Sequence, residues 1–176
     1  MENFPKLVIT DIDGVWTDGG MFYDKHDNEL KKFNTSDSAG VLFLKILNVP
    51  TAIITGENTP IVARRAKKLN IKYTYLGIKD KVKIAEDLCQ NLNINFNEVA
   101  YIGDDINDIE LLKKVAISAA PANAPQYIKD IVDIKLSKNG GDGAFREFVE
   151  TMLNYHDKMN FVIDTYLSNN KNDFSQ

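Results

Sequence analysis

Short apolar runs alternate along this chain with longer stretches of helical period. Leu7-Val8-Ile9-Thr10, Thr51-Ala52-Ile53-Ile54 and Val99-Ala100-Tyr101-Ile102 are apolar or β-branched throughout, with no polar alternation. Runs of this kind are covered on both faces, as the strands of a parallel sheet are. Lys72 to Leu76 and Val115 to Ser118 read as further strands. Between them, Ala39 to Leu47, Pro60 to Leu69, Lys81 to Leu92 and Asp108 to Lys114 set apolar residues at the spacing of one helix face. This alternation predicts an α/β fold, a doubly wound parallel sheet whose strand C-termini carry the ligand-binding loops. The polar residues at those ends are Asp11, then Thr55-Gly56, then Gly103-Asp104-Asp105.

One segment breaks the alternation. From Gly14 to Asn34, the turn signals Asp18-Gly19-Gly20 and His26-Asp27-Asn28 flank Met21-Phe22-Tyr23 and Leu30 to Phe33, which predicts a β-hairpin projecting from the first strand. Its aromatic residues, Trp16, Phe22, Tyr23 and Phe33, are expected to pack between subunits rather than to stack on a ligand. No linker or repeat follows, so a single domain is expected over residues 1–167. The tail 168–176, rich in Asn with Lys and Asp, is expected to be disordered.

Composition narrows the partners. At 176 residues and 44% hydrophobic content, the chain can close one sizeable core without staples. The single cysteine, Cys89, lies on a predicted helix and reads as a small buried hydrophobe. With 21 basic residues against 25 acidic ones and no long basic run, nucleic acid is not an expected partner. The N-terminus offers neither a signal-peptide core nor a membrane span, so a cytoplasmic protein is expected. His26 and His156 have no acidic partner at catalytic spacing and are expected to face solvent.

Candidate chemistry concentrates at two strand ends. Asp11-Ile12-Asp13-Gly14 sets two carboxylates at alternate positions just past a buried strand, so both can lean to the same side of the sheet edge. Alone, that tetrapeptide reads equally well as a solvated turn. Gly103-Asp104-Asp105-Ile106-Asn107-Asp108 follows a second buried strand, and a parallel pairing would bring Asp104 close to Asp11 and Asp13. Carboxylates converging with no cysteine or histidine nearby form a hard, oxygen-only site suited to Mg²⁺.

These motifs, in this order, resemble those of the haloacid dehalogenase superfamily: D-x-D-G at Asp11 to Gly14, a Thr closing a second strand at Thr55-Gly56, a downstream lysine at Lys81, and the acidic loop Gly103 to Asp108. The resemblance implies a phosphatase in which Asp11 attacks phosphorus and Asp13 serves as general acid and then base. It further implies that Asp11, the carbonyl of Asp13 and Asp104 hold Mg²⁺, while Thr55, with Gly56 beside it, and Lys81 hold the phosphate. Asp105 and Asp108 are implied to orient metal-bound water or Lys81. A non-catalytic relative would lack the nucleophile or the metal aspartate, and both are present.

Only the hairpin and one helix separate Asp13 from Thr55, leaving no room for the cap domain that many superfamily members carry. The chain is therefore similar to the capless sugar-acid phosphatases. Thr10 to Gly19, Asn34 to Gly40 and Gly140 to Glu147 look like that subfamily, which implies a homotetramer whose neighbouring subunits complete each site. Within it, the eight-carbon octulosonate branch usually places Arg after the second-motif Gly, where this chain has Glu57. A Glu, an Arg and a Lys matching Glu57, Arg65 and Lys68, with Arg64 nearby, resemble the branch acting on nonulosonate 9-phosphates. The resemblance thus implies a phosphorylated sugar acid as substrate. The first expectation is 2-keto-3-deoxy-D-glycero-D-galacto-nononate 9-phosphate (KDN 9-phosphate), with N-acetylneuraminate 9-phosphate beside it and 3-deoxy-D-manno-octulosonate 8-phosphate as the alternative.

Overall fold

A computed structural model of the chain describes residues 3–26 and 28–173. In chain order its elements are β1 (Leu7–Thr10), β2 (Phe22–Tyr23), β3 (Glu29–Leu30), α1 (Asp37–Ile46), β4 (Thr51–Ile54), α2 (Pro60–Lys68), β5 (Tyr73–Tyr75) and α3 (Lys81–Leu92). There follow β6 (Val99–Ile102), α4 (Ile109–Leu112), β7 (Ile117–Ala120), α5 (Gln126–Lys129), β8 (Ile134–Lys135), α6 (Ala144–Tyr155) and α7 (Met159–Asp173).

Six strands form one parallel sheet in the order β5-β4-β1-β6-β7-β8. The chain winds outward from β1 to β5, then returns to lay β6 on the other side of β1. That reversal separates the loops after β4 and β6 and leaves a crevice at the C-terminal end of β1, the place where open α/β sheets bind ligands. Side chains alternate along each central strand. Val8, Ile53, Ala100 and Ile102 join a core with residues of α1, α2, α6 and α7, whereas Leu7, Ile9, Ile54 and Tyr101 join a second core under α3, α4 and α5. Each fully buried Leu or Ile contributes about 1.5–3 kcal/mol, so the strand positions that present the loops are firmly held.

Helix starts follow local chemistry. Thr59 caps α2 by accepting from the Ile61 amide at 3.3 Å, with Pro60 in the first turn. Asp80 caps α3 by accepting from the Lys83 amide at 2.9 Å, which fixes Lys81 as the first helical residue.

Several expectations need correction. The hairpin strands β2 and β3 have two residues each, and Trp16 does not belong to them. It is fully buried, packs on Phe145 with ring centroids 4.9 Å apart, and donates its indole N–H to Thr10 Oγ1 at 2.9 Å. The strand expected from Val115 to Ser118 begins at Ile117: the Val115 amide is taken by Leu111 O at the end of α4, and the Ala116 amide by the carbonyls of Phe96 and, at the start of β6, Val99. The tail does not become irregular at Ser168: α7 continues to Asp173, its run free of proline and glycine, and residues 174–176 lie outside the described residues. His156 is half-buried, in edge contact with Phe4 and Tyr155. Cys89 is buried and free, as expected.

Candidate active site

A cleft of about 350 Å³ opens at the C-terminal end of β1, lined by Asp11, Asp13, Gly14, Thr55, Gly56, Glu57, Asp104 and Asp105 together with Asp18, Gly19, Asn107 and Asn123. A second cleft of equal volume, lined among others by Val41, Lys45, Val49 and Tyr73, lies at the opposite end of the strands and contains no carboxylate.

Two backbone features bring the acidic loops together. Gly14 has φ +80°, and a Cβ there would overlap the Asp104 carboxylate, so the loop after β6 lies directly against the loop after β1. On the other flank, Gly140 packs against the Gly14 carbonyl, and the Gly141 amide donates to Val15 O at 3.0 Å. The Gly140-Gly141 turn thus borders the site of its own chain.

Lys81 and Asp108 organise the buried side of the cleft. The Lys81 ammonium, 1% exposed, donates to Asp11 Oδ2 at 2.8 Å and to Asp108 Oδ1 at 2.6 Å. Asp108 is fully buried. Its Oδ1 also accepts from the Tyr101 hydroxyl, and its Oδ2 accepts from the amides of Asp104 and Asp105 at 2.9 and 3.1 Å. Both Asp108 oxygens are therefore occupied, and the role left to this residue is to hold Lys81 and the metal-facing loop. Asp105, by contrast, is exposed and accepts from the Ile106 amide and the Tyr127 hydroxyl.

The electrostatics call for a cation. Burial pushes Asp11 up to about 6, against the opposing pull of Lys81. Burial, followed by the charges of Asp11, Asp108 and Asp105, pushes Asp104 up to about 8. Burial alone would lower Lys81, yet Asp11 and Asp108 outweigh it and hold the ammonium above its ordinary value. Carboxylate oxygens of Asp11, Asp104 and Asp108 all lie within 4.8 Å of one another, and Asp104 Oδ1 is buried with no hydrogen-bond partner. An orphaned oxygen in an all-oxygen donor set fits a hard divalent cation. With Asp108 already saturated, Asp11 and Asp104 are the side chains with capacity to bind it.

Asp11 Oδ1 accepts from the Ile12 amide at 2.7 Å, which fixes the carboxylate at the end of β1. Thr55 is buried at the end of β4, its amide bonded to Tyr75 O. The expected substrate contacts do not converge within one chain. Glu57 lines the cleft, but Arg65 turns toward the start of α1, donating to Ser38 Oγ at 2.9 Å and Asn34 O at 3.3 Å. Arg64 and Lys68 are exposed on α2, outside the cleft. Helical geometry keeps Arg65 and Lys68 on one face, and that face begins beyond the Thr59 cap.

Two site residues were missed from sequence. Tyr101 had a readable signal, because strand alternation puts it on the α3 side with Leu7 and Ile9. Lys31, which donates to Asp13 Oδ1 at 2.7 Å, had none, since two-residue hairpin strands fix no register that the sequence displays.

A profile of the haloacid dehalogenase-like hydrolase family matches residues 75–148. The 3-deoxy-D-manno-octulosonate 8-phosphate phosphatase of Haemophilus influenzae is 39% identical over 165 residues, covering 94% of this chain and 91% of that protein. A cobalt-bound structure of the H. influenzae phosphatase aligns with TM-score 0.82 at 39% identity, covering 85% of this chain and 88% of that one. The Moraxella catarrhalis octulosonate phosphatase, solved with magnesium, phosphate and the sugar acid KDO, aligns with TM-score 0.88 at 33% identity over 92% and 93% of the two chains. The chain belongs to the haloacid dehalogenase-like hydrolases and is a phosphomonoester hydrolase of the capless kind.

Proposed function

We propose that the protein hydrolyses the terminal phosphate of a 3-deoxy sugar acid, with 3-deoxy-D-manno-octulosonate 8-phosphate as its first substrate, in the presence of Mg²⁺. The observation that carries the reaction is the Asp11–Lys81–Asp108 chain at the floor of the cleft, with Asp104 across from it. The names of the relatives favour the eight-carbon substrate over the nine-carbon one expected from the motifs. A second reading, KDN 9-phosphate, is kept by one feature: Glu57 stands in the cleft, where it can accept sugar hydroxyls.

In this reading Asp11 attacks phosphorus to form an aspartyl-phosphate, and Asp13 protonates the leaving alkoxide before deprotonating the attacking water. Thr55, the Gly56 backbone and Lys81 bind phosphate oxygens, and Lys81 offsets the repulsion between carboxylate and phosphate. Bound at Asp11, Asp104 and the Asp13 carbonyl, Mg²⁺ supplies further charge neutralisation of nucleophile and phosphate. Asp108 keeps Lys81 aimed at Asp11. In a homotetramer, Arg65 and Lys68 reach a neighbouring chain's substrate, its carboxylate being the matching charge.

Single substitutions test the substrate assignment. Glu57→Ala, Arg65→Ala and Lys68→Ala should each lower kcat/KM on the sugar-acid phosphate by about tenfold to a hundredfold, the loss of a charge-assisted hydrogen bond worth about 1.5–3 kcal/mol. An aryl phosphate should be affected much less. Equal losses on both substrates would assign these residues to the phosphate site or the fold.

A further inference from the structure

The hairpin delivers a charged group that no motif accounts for. Lys31 follows β3, and its ammonium lies 2.7 Å from Asp13 Oδ1 and 3.5 Å from Glu29 Oε1, with the side chain 1% exposed. A lysine whose side chain is covered in this way normally needs paired charge, and here it is supplied from two directions. Asp13 contributes from the β1 loop and Glu29 from the hairpin, while Glu57 adds its field from the β4 loop.

The distribution of partners on Asp13 matters more than their number. Thr17 Oγ1 donates to the same Oδ1 at 3.2 Å, so two donors from different segments grip one oxygen of the carboxylate. The other oxygen, Oδ2, is buried and has no hydrogen-bond partner. Clamping one oxygen fixes the side-chain torsions of a residue that lines the cleft. For a group that must hand a proton to a leaving oxygen and take one from water, this is the arrangement that loses least to misorientation.

We propose that Lys31 is a positioning residue for Asp13, carried on the hairpin, and that hairpin placement thereby controls proton transfer to the leaving group. The proposal rests on the reading of Asp13 as general acid. In the step concerned, the P–O bond to the sugar oxygen breaks as the phosphoryl group passes to Asp11. The Asp13 proton goes to that oxygen, and the Asp13 carboxylate left behind faces the Lys31 ammonium. Because exposed Phe22, Tyr23 and Leu30 share this hairpin, any contact that reorders it is felt at the general acid.

Leaving-group dependence separates this role from a structural one. With the full-length protein and saturating Mg²⁺, the variants Lys31→Met, Lys31→Gln and Lys31→Arg are compared with Asp13→Asn on the sugar-acid phosphate and on 2,4-dinitrophenyl phosphate. The aryl leaving group needs no proton. Lys31→Met should lower kcat on the sugar-acid phosphate at least tenfold with KM within twofold, yet leave first-turnover dinitrophenolate release within twofold of wild type. Lys31→Gln, which keeps one donor, should fall between, and Lys31→Arg should recover most of the rate. General acid catalysis as a whole is worth about 10²–10⁴-fold, so Asp13→Asn should show the same selective loss, larger. A selective loss in Asp13→Asn without one in Lys31→Met or Lys31→Gln would overturn the role of Lys31. Absence of selective loss in Asp13→Asn would instead overturn the reading of Asp13. Equal losses on both substrates, or a rise in KM with unchanged kcat, would make Lys31 a structural or binding residue and overturn the proposal.

Discussion

Asp108 and Asp105 are three residues apart in one acidic loop, and the structure predicts very different consequences for replacing them with asparagine. Asp108 is fully buried and accepts from four donors: the Lys81 ammonium, the Tyr101 hydroxyl, and the amides of Asp104 and Asp105. An asparagine offers one acceptor oxygen. Whichever way its amide turns, the NH₂ group faces either the Lys81 ammonium or the two backbone N–H groups, donor against donor. Breaking a buried pair costs about 3–5 kcal/mol. Relief of the charge that pushes Asp11 upward acts in the opposite direction, so we expect about 3 kcal/mol for Asp108→Asn. Asp105 is exposed, and asparagine retains an oxygen for the Ile106 amide, so Asp105→Asn should change stability by no more than about 0.5 kcal/mol. Urea denaturation followed by circular dichroism, with EDTA present, reads both. At a slope of about 1–3 kcal/mol per molar urea, the Asp108→Asn midpoint should fall by about 1–3 M while the Asp105→Asn midpoint stays near wild type. Equal midpoints for the two variants would refute the assignment of Asp108 as the buried anchor of the site.

Other outcomes follow from the same geometry. Asp11→Asn should abolish phosphate release while circular dichroism still shows a folded chain, at reduced stability, because the amide oxygen can still accept from the Ile12 amide but the NH₂ then faces the Lys81 ammonium; residual Mg²⁺-dependent turnover above a small fraction would contradict the nucleophile assignment. Burial pushes Asp37 up to about 6, so the folded state keeps a proton that the unfolded chain has lost, and wild-type stability should fall as pH rises from about 4 to 6. Asp37→Asn lacks that penalty and should gain on wild type through this window, by at most about 3 kcal/mol above pH 7, whereas a pH-independent difference would exclude the effect. Phe22, Tyr23 and Leu30 are 54%, 66% and 67% exposed on the hairpin, so Leu30→Asp should dissociate the proposed homotetramer in light scattering; an active wild-type monomer would end that proposal.

Much of this was legible in the sequence because buried parallel strands end abruptly. β1, β4 and β6 have the bounds read from Leu7 to Thr10, Thr51 to Ile54 and Val99 to Ile102, and α3 has the bounds read from Lys81 to Leu92. Asp11, Thr55 and Asp104 follow from those ends and from the order of the sheet. Residues whose role depends on a side-chain partner far away in sequence were not legible. Trp16 looked like part of an aromatic hairpin but fills the core against Phe145, 129 positions along the chain, and Lys31 meets Asp13 only because the hairpin folds back. Arg65 and Lys68 were read from their shared helix face, yet a helix face does not tell which cleft, or which chain's cleft, it borders. The irregular tail was inferred from Asn-rich composition, which lowers helix propensity only slightly and does not end a helix without a breaker.

The most direct test is steady-state kinetics of the purified protein with Mg²⁺ on 3-deoxy-D-manno-octulosonate 8-phosphate, KDN 9-phosphate and an aryl phosphate, side by side. We expect kcat/KM to be highest on the eight-carbon sugar acid, lower on the nine-carbon one and lowest on the aryl phosphate, with all activity lost to EDTA. The reverse order of the two sugar acids would move the assignment to the nine-carbon substrate for which Glu57 speaks. Activity on both sugar acids no higher than on the aryl phosphate would contradict a sugar-acid phosphatase altogether.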